Sequence, residues 1–275
     1  MRDILGNLLR VTPPFRGKGR LRRIWEHTVP RGEHRIARLP DGSILNIQLD
    51  IPYEQTVWLE DEEWHELCYL QKKLRQGDVF IDVGANIGLW TLVAASSVGT
   101  NGRVFSFEPN PATFEKLVYN VRLNARCSLV EVYQEAVSRE DGLASFACES
   151  QHNVSAISSY CSNGDVIRVR TRALDFLLAK ESVAEHLAGI KIDAEGHELE
   201  ALEGAERLIE KRSPWLIVEF NTKLLGSSVL QAWSVYKFLV DKEYQPFTYT
   251  RRGNEIRVDG MLTVNGYQNF LFKRI

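Results

Sequence analysis

The chain has 275 residues, of which 44% are hydrophobic, 25% charged and 10% aromatic, proportions that exclude disordered, collagen-like and fibrous classes. Thirty-four Lys and Arg against 36 Asp and Glu leave a formal net charge of -2, which gives no global reason to expect nucleic acid or an acidic membrane as partner. No apolar run reaches the roughly 18–20 residues that span a bilayer, the first ten residues lack a signal-peptide core, and no two of the four cysteines form a Cys-x-x-Cys pair, so a reduced, cytoplasmic enzyme without a zinc or redox motif is expected.

The first 23 residues are basic, with Arg2, Arg10, Arg16, Lys18, Arg20, Arg22 and Arg23 against Asp3 alone. Pro13-Pro14 and Gly17/Gly19 interrupt any helix there, so a solvated, partly ordered tail is expected. His34 to Asp50 alternates around Pro40-Asp41-Gly42 and reads as a β-hairpin. Glu60 to Arg75 reads as a helix, acidic in its first turn and basic in its last.

From Asp78 the rhythm is strand, helix, strand. Val79 to Val83, Val104 to Phe107 and Leu129 to Tyr133 are short apolar strands, with helices from Gly88 to Ser97 and from Pro111 to Asn124 between them. Leu143 to Ala147 and Val166 to Arg170 are two extra strands around a Ser/Asn-rich loop from Glu149 to Gly164. The alternation resumes with strands at Gly189 to Asp193 and Trp215 to Phe220 and helices at Glu198 to Arg212 and Val229 to Lys242. Pro246 to Thr250 and Asn269 to Lys273 close the chain as strands. Short apolar strands between amphipathic helices predict an α/β fold, a mostly parallel sheet covered on both faces. Residues 1–77 are expected to form an extension that packs on a Rossmann-like domain over residues 78–275.

The run Asp82-Val83-Gly84-Ala85-Asn86-Ile87-Gly88 lies where such a fold carries its nucleotide loop. Glu108 ends the next strand 20 residues after Gly88, where a carboxylate can accept hydrogen bonds from both ribose hydroxyls. The dinucleotide fingerprint has a glycine at the place of Asn86, and Asp82 adds negative charge. That is poor for a diphosphate and good for a ligand bearing an ammonium and a sulfonium, as S-adenosylmethionine does.

A second run, Lys191-Ile192-Asp193-Ala194-Glu195-Gly196-His197-Glu198, crosses from strand to helix on the same carboxyl edge. Asp193 is placed to touch cofactor and acceptor, with Glu195 and His197 in reach as further catalytic candidates. His152, in the inserted loop, is a weaker one. A divalent metal on Asp193, Glu195 and His197 competes with this reading. Alternation at a strand end sends such side chains to different sides, so no metal is expected. The acids from Glu195 to Glu200 also suit a helix start.

Five runs occur in order: Phe80 to Thr91, Phe107-Glu108-Pro109-Asn110, Glu135-Ala136-Val137-Ser138, Arg172 to Leu178, and Lys191 to Glu198. Together they resemble the FkbM family of S-adenosylmethionine-dependent methyltransferases, over roughly Asp78 to Asn221. The resemblance implies a class I methyltransferase fold, a seven-stranded Rossmann-like sheet whose last strand is antiparallel. It implies O-methylation of a small-molecule hydroxyl, on a sugar or a glycosylated or polyketide-type natural product. It places Asp82, Gly84, Ala85, Asn86 and Gly88 around the methionine part of S-adenosyl-L-methionine, Glu108, Pro109 and Asn110 at the ribose, and Glu135 and Ala136 near the adenine.

The place after the fourth strand holds Asp193-Ala194-Glu195-Gly196 where amino-group methyltransferases of planar bases carry an Asn/Asp-Pro-Pro-aromatic run, so a nucleic-acid acceptor is disfavoured. A nicotinamide-dependent oxidoreductase on the same fold is the rival enzyme, and Asn86 speaks against it. A non-catalytic S-adenosylmethionine-binding protein and a homo-oligomer both stay open. Acceptor specificity is expected in the inserted loop and the N-terminal segment.

Overall fold

The computed structural model describes residues 2–11, 18–60, 63–148, 155–157, 165–221, 229–250, 253–259 and 266–275. The loop from Glu149 to Gly164 falls almost wholly outside the described residues, and His152 with it.

The N-terminal segment holds α1 (Arg2–Val11), α2 (Lys18–Glu26), a hairpin of β1 (His34–Arg38) and β2 (Ile44–Gln48), α3 (Pro52–Leu59) and α4 (Trp64–Lys73). The expectation of a solvated tail does not hold for the described part. Leu9 and Trp25 are buried, because Leu5/Leu9 and Leu21/Trp25 recur at helical spacing; Pro13, Pro14 and Gly17 fall between the two helices, and Gly19 is taken into α2. The helix read from Glu60 to Arg75 starts at Trp64. Glu60 closes α3 and Glu63 precedes α4, both with left-handed backbones (φ 56° and 57°), so the chain turns there.

The central sheet is built from β3 (Val79–Val83), β4 (Arg103–Phe107), β5 (Val130–Tyr133), β10 (Leu187–Ile192), β11 (Trp215–Asn221), β12 (Tyr244–Tyr249), β13 (Glu255–Arg257) and β14 (Tyr267–Arg274). Their spatial order is β13-β12-β14-β11-β10-β3-β4-β5. The pairs from β5 through β11 are parallel, and β14 runs antiparallel between β11 and β12. This is the Rossmann-like topology of class I methyltransferases. It carries one strand beyond the expected seven, since three-residue β13 pairs on the outer edge of β12.

Helices α5 (Leu89–Val98), α6 (Pro111–Leu123), α8 (Glu198–Glu203), α9 (Glu206–Arg212) and α10 (Val229–Asp241) cover the sheet, and α7 (Glu181–His186) precedes β10. All five residues of β3 are buried. Val79, Ile81 and Val83 join one apolar cluster with β10 and α8, while Phe80 joins the other with α5 and the N-terminal segment. Each such side chain contributes roughly 1.5–3 kcal/mol by leaving water. The single helix read from Glu198 to Arg212 is broken at Gly204, where the Ser138 carbonyl packs so close that a Cβ would stand 2.0 Å from it.

The β insertion is larger than two strands. β6 (Glu135–Val137), β7 (Gly142–Cys148), β8 (Ser155–Ile157) and β9 (Asp165–Arg172) form a second sheet in the order β6-β9-β7-β8.

Candidate active site

The chain leaves β3 toward β4 and β5 on one side and returns to place β10 on the other. Open α/β sheets bind ligands at such a reversal, beyond the carboxyl ends of the strands. A cavity opens there. Val83, Gly84 and Asn86 line it from the first loop, Phe107, Glu108 and Pro109 from the second, Glu135, Ala136 and Val137 from β6, Phe146 from β7, and Asp193, Ala194, Glu195 and His197 from the end of β10.

The loop after β3 is shaped by its backbone. Gly84 has φ 72°, and a Cβ on it would stand 1.9 Å from the Asp193 carbonyl oxygen. Asn86 also has a left-handed backbone, φ 48°, which asparagine tolerates better than most residues. The Gly84 and Ala85 amides donate to the Phe107 carbonyl at 3.0 and 2.9 Å. Glu108 braces the same loop. Its carboxylate accepts from the Asn86 amide and the Asn110 amide, each at 2.9 Å. Burial pushes the Glu108 carboxyl up to about 7 despite those two donors.

Four predicted residues stand apart from the cavity lining. Asp82 is fully buried beneath the loop and accepts from the Thr91 hydroxyl at 2.6 Å; burial raises its pKa. Ala85 is buried behind the loop. Asn110 turns its side chain to the start of α6, accepting from the Ala112 and Thr113 amides. Gly88 begins α5. Glu135 lines the cavity with both carboxylate oxygens held by Arg172 at 2.9 Å, a paired contact that ties β6 to β9.

At the end of β10, Glu195 has φ 50°, which breaks strand alternation. Oxygens of Asp193, Glu195 and Glu219 consequently lie within 4.8 Å of one another, and His197 is not part of that cluster. Burial and the Asp193 charge hold the Glu195 carboxyl well above its ordinary range. Burial lowers the His197 pKa, so its imidazole is neutral at pH 7. Glu198, read from the sequence as a helix-start acid, accepts from the Ala194 and Gly196 amides at 3.0 Å and fixes the turn that presents Asp193 and Glu195.

The residue that sequence reasoning left without a role is Lys191. Its buried ammonium donates to the Gly84 carbonyl at 2.9 Å, contacts Asp193 at 3.1 Å and lies 3.8 Å from Asp82. Burial works against the charge, but Asp193, Asp82 and Glu63 outweigh it and hold Lys191 above the ordinary lysine range. A lysine inside the apolar run Leu187–Ile192 was the available signal. Phe146 and Glu219 were also missed, since only tertiary structure brings their strands to this edge.

The donor set suits a cationic ligand. Several carboxylates face one ammonium. Asn86 Oδ1 and Asp193 Oδ1 are shut from solvent with no hydrogen-bond partner among the described residues, and both residues line the cavity. Acceptors of that kind fit an ammonium donor.

Fold and cavity together define a Rossmann-like enzyme of the class I methyltransferase type. The chain belongs to the FkbM methyltransferase family: residues 82–235 match the methyltransferase FkbM domain. It is similar to hexuronic acid methyltransferase AglP of Haloferax volcanii, 30% identical over 199 residues that make up 68% of this chain and 75% of that protein. It is also similar to 31-O-demethyl-FK506 methyltransferase FkbM of Streptomyces tacrolimicus, 36% identical over 109 residues, 38% of this chain and 39% of that protein. Among solved structures, methyltransferase FkbM from Methylobacillus flagellatus KT aligns with 18% identity and a TM-score of 0.47; the alignment covers 80% of this chain and 54% of that one.

Proposed function

We propose that this methyltransferase uses S-adenosyl-L-methionine to methylate a hydroxyl of a small molecule, a sugar or a glycosylated or polyketide-type compound. The observation that carries the reading is the cavity itself, lined by Gly84, Asn86, Glu108 and Asp193, with Asn86 Oδ1 and Asp193 Oδ1 buried and unpartnered among the described residues. One relative is named for a hexuronic acid and the other for a 31-O position, which supports an oxygen of a small molecule as the acceptor.

Bound S-adenosylmethionine would supply a methyl group on a sulfonium. The chain's own residues then have three tasks. Gly84, Asn86 and the carboxylates hold the methionine part, Glu108 takes the ribose, and Glu135 with Ala136 borders the adenine. Asp193 orients the acceptor hydroxyl, which must lie in line at about 3–3.5 Å from the methyl carbon. Asp193 or the neutral His197 ring takes the hydroxyl proton, with Glu195 beside them, a contribution of roughly 10²–10⁴-fold. A nucleic-acid acceptor is not proposed, because an acid-lined cavity repels a phosphate backbone.

Calorimetric titration with S-adenosylhomocysteine and with NAD tests the cofactor. Binding of NAD alone would return the rival oxidoreductase. Turnover on a panel of hydroxyl compounds, uronic acids included, separates an enzyme from a binder.

Glu108→Ala is expected to weaken S-adenosylhomocysteine binding roughly 10–150-fold, the loss of about 1.5–3 kcal/mol from hydrogen bonds to a charged acceptor. Unchanged affinity would leave Glu108 only its bracing of the loop. Although Asp193, Glu195 and Glu219 converge, the Lys191 ammonium 3.1 Å from Asp193 already supplies a cation there, so dialysis against a chelator is expected to leave turnover intact. Loss restored by Mg²⁺ would assign the Asp193, Glu195 and Glu219 oxygens to a metal.

A further inference from the structure

We propose that Glu63, delivered by the N-terminal segment ahead of the family domain, is a positioning residue of the methyl-donor site that pins Trp90 and sets the charge around Lys191 and Asp193. The inference rests on the cofactor reading above and extends it to a residue outside the matched span.

The geometry is specific. The Trp90 indole N–H donates to Glu63 Oε1 at 3.2 Å, and the Tyr53 hydroxyl donates to Glu63 Oε2 at 3.2 Å. Trp90 is buried in the first turn of α5, directly after the ligand loop. One carboxylate thus ties α3 and the start of α4 to the helix that leaves Gly88. Glu63 achieves this from a left-handed backbone, φ 57°, a conformation that costs a non-glycine residue energy and gathers at functional sites.

Its electrical surroundings are those of the site. The charged groups that face Glu63 are Lys191 and Asp193 from the edge of β10 and Glu66 from α4, and the buried Tyr249 hydroxyl of β12 feels Glu63 as well. Tyr53 in turn feels Asp193 and Asp82. Lys191 is therefore shared by Asp193, Asp82 and Glu63, and only the last comes from outside the Rossmann-like domain. Burial raises the Glu63 carboxyl to about 7, with Lys191 and the Trp90 hydrogen bond opposing. Below that pH Glu63 is neutral, and the site loses one negative charge. Above it the carboxylate favours a cation in the cavity. S-adenosylmethionine, with its sulfonium, carries one positive charge more than S-adenosylhomocysteine and should feel Glu63 more.

The test is titration of S-adenosylmethionine and S-adenosylhomocysteine into wild type and Glu63→Gln at pH 6 and pH 8. Glutamine keeps the shape and both hydrogen bonds and mimics the protonated carboxyl. At pH 8 the variant should bind S-adenosylmethionine about fivefold more weakly than wild type, with a smaller loss for S-adenosylhomocysteine, and at pH 6 the two proteins should agree. Glu108 and Glu198, also raised to about 7, titrate in both proteins and cancel in the comparison. Equal affinity at both pH values overturns the proposal, as does the same loss at both, which would mean shape alone. Should Glu63→Gln fail to fold, Tyr53→Phe reads the same titration. Loss of the hydroxyl donor disfavours the carboxylate, so the rise in affinity moves to higher pH, and an unmoved rise overturns the proposal. Wild type that binds neither compound would instead overturn the cofactor reading.

Discussion

Replacing Lys191 with methionine is expected to destabilise the fold by roughly 3–5 kcal/mol, the range seen when one partner of a buried ion pair is removed. The side chain fits by volume, so the effect is electrical. Asp82 and Asp193 lose the ammonium at 3.8 and 3.1 Å, and the Gly84 carbonyl loses a donor at 2.9 Å. At about 2–4 °C per kcal/mol for a chain of this size, the melting temperature falls by roughly 6–20 °C. The sign with pH is diagnostic. Lys191 is held above the ordinary lysine range, so its contribution in wild type is fully present below that range and is lost only as pH rises through the higher folded value. In the variant the stranded carboxylates can be neutralised by protons, so the deficit should shrink from pH 8 to pH 5. Thermal melts at several pH values check this. A deficit independent of pH would mean that Lys191 acts by packing.

The wild type has its own dependence. Glu63, Glu108 and Glu198 are each raised by burial to about 7 from 4.5. A carboxyl raised on folding contributes stability below its unfolded value that is lost as pH rises toward the folded one. The ligand-free protein should therefore lose stability between about pH 4.5 and 7, and a cationic ligand should restore most of it near pH 8.

Gly84→Val is expected to abolish S-adenosylhomocysteine binding and to lower stability as well. The first obstacle to a side chain at this position is the protein itself. The added Cβ would stand 1.9 Å from the Asp193 carbonyl oxygen, so the loops after β3 and β10 must separate. The left-handed backbone, φ 72°, adds roughly 1–2 kcal/mol for any side chain. We expect a total of at least about 3 kcal/mol, with the two strand-end loops no longer in register. Gly42→Ala is the control, since φ is 87° there and nothing lies within 4 Å. It should show the backbone cost alone, with binding unaffected. A Gly84→Val protein that binds S-adenosylhomocysteine normally would remove the loop from the site.

The split between what was legible in the chain and what was not follows from the range of the forces involved. The strands at Val79, Val104, Trp215 and the loops they feed were readable because burial on both faces demands continuous apolar runs and tight turns demand glycine or asparagine, which are local requirements. The same holds for Asn110, whose cap on α6 needs only its own neighbours. Charge partnerships were not readable. Lys191 reaches Gly84 across 107 positions, and Glu63 reaches Trp90 across 27. Glu219 stands beside Asp193 because β11 pairs with β10 and Glu195 turns back with φ 50°. The helix breaks at Glu63 and Gly204 were hidden for the same reason. Each coincides with a tertiary contact, the Trp90 indole on Glu63 in one case and the close Ser138 carbonyl at Gly204 in the other. The sequence by itself determined the alternating sheet, the glycine-bearing turn after β3 and the family. Tertiary structure alone decided which carboxylates share one buried ammonium, because electrostatic coupling depends on distance in space and not along the chain.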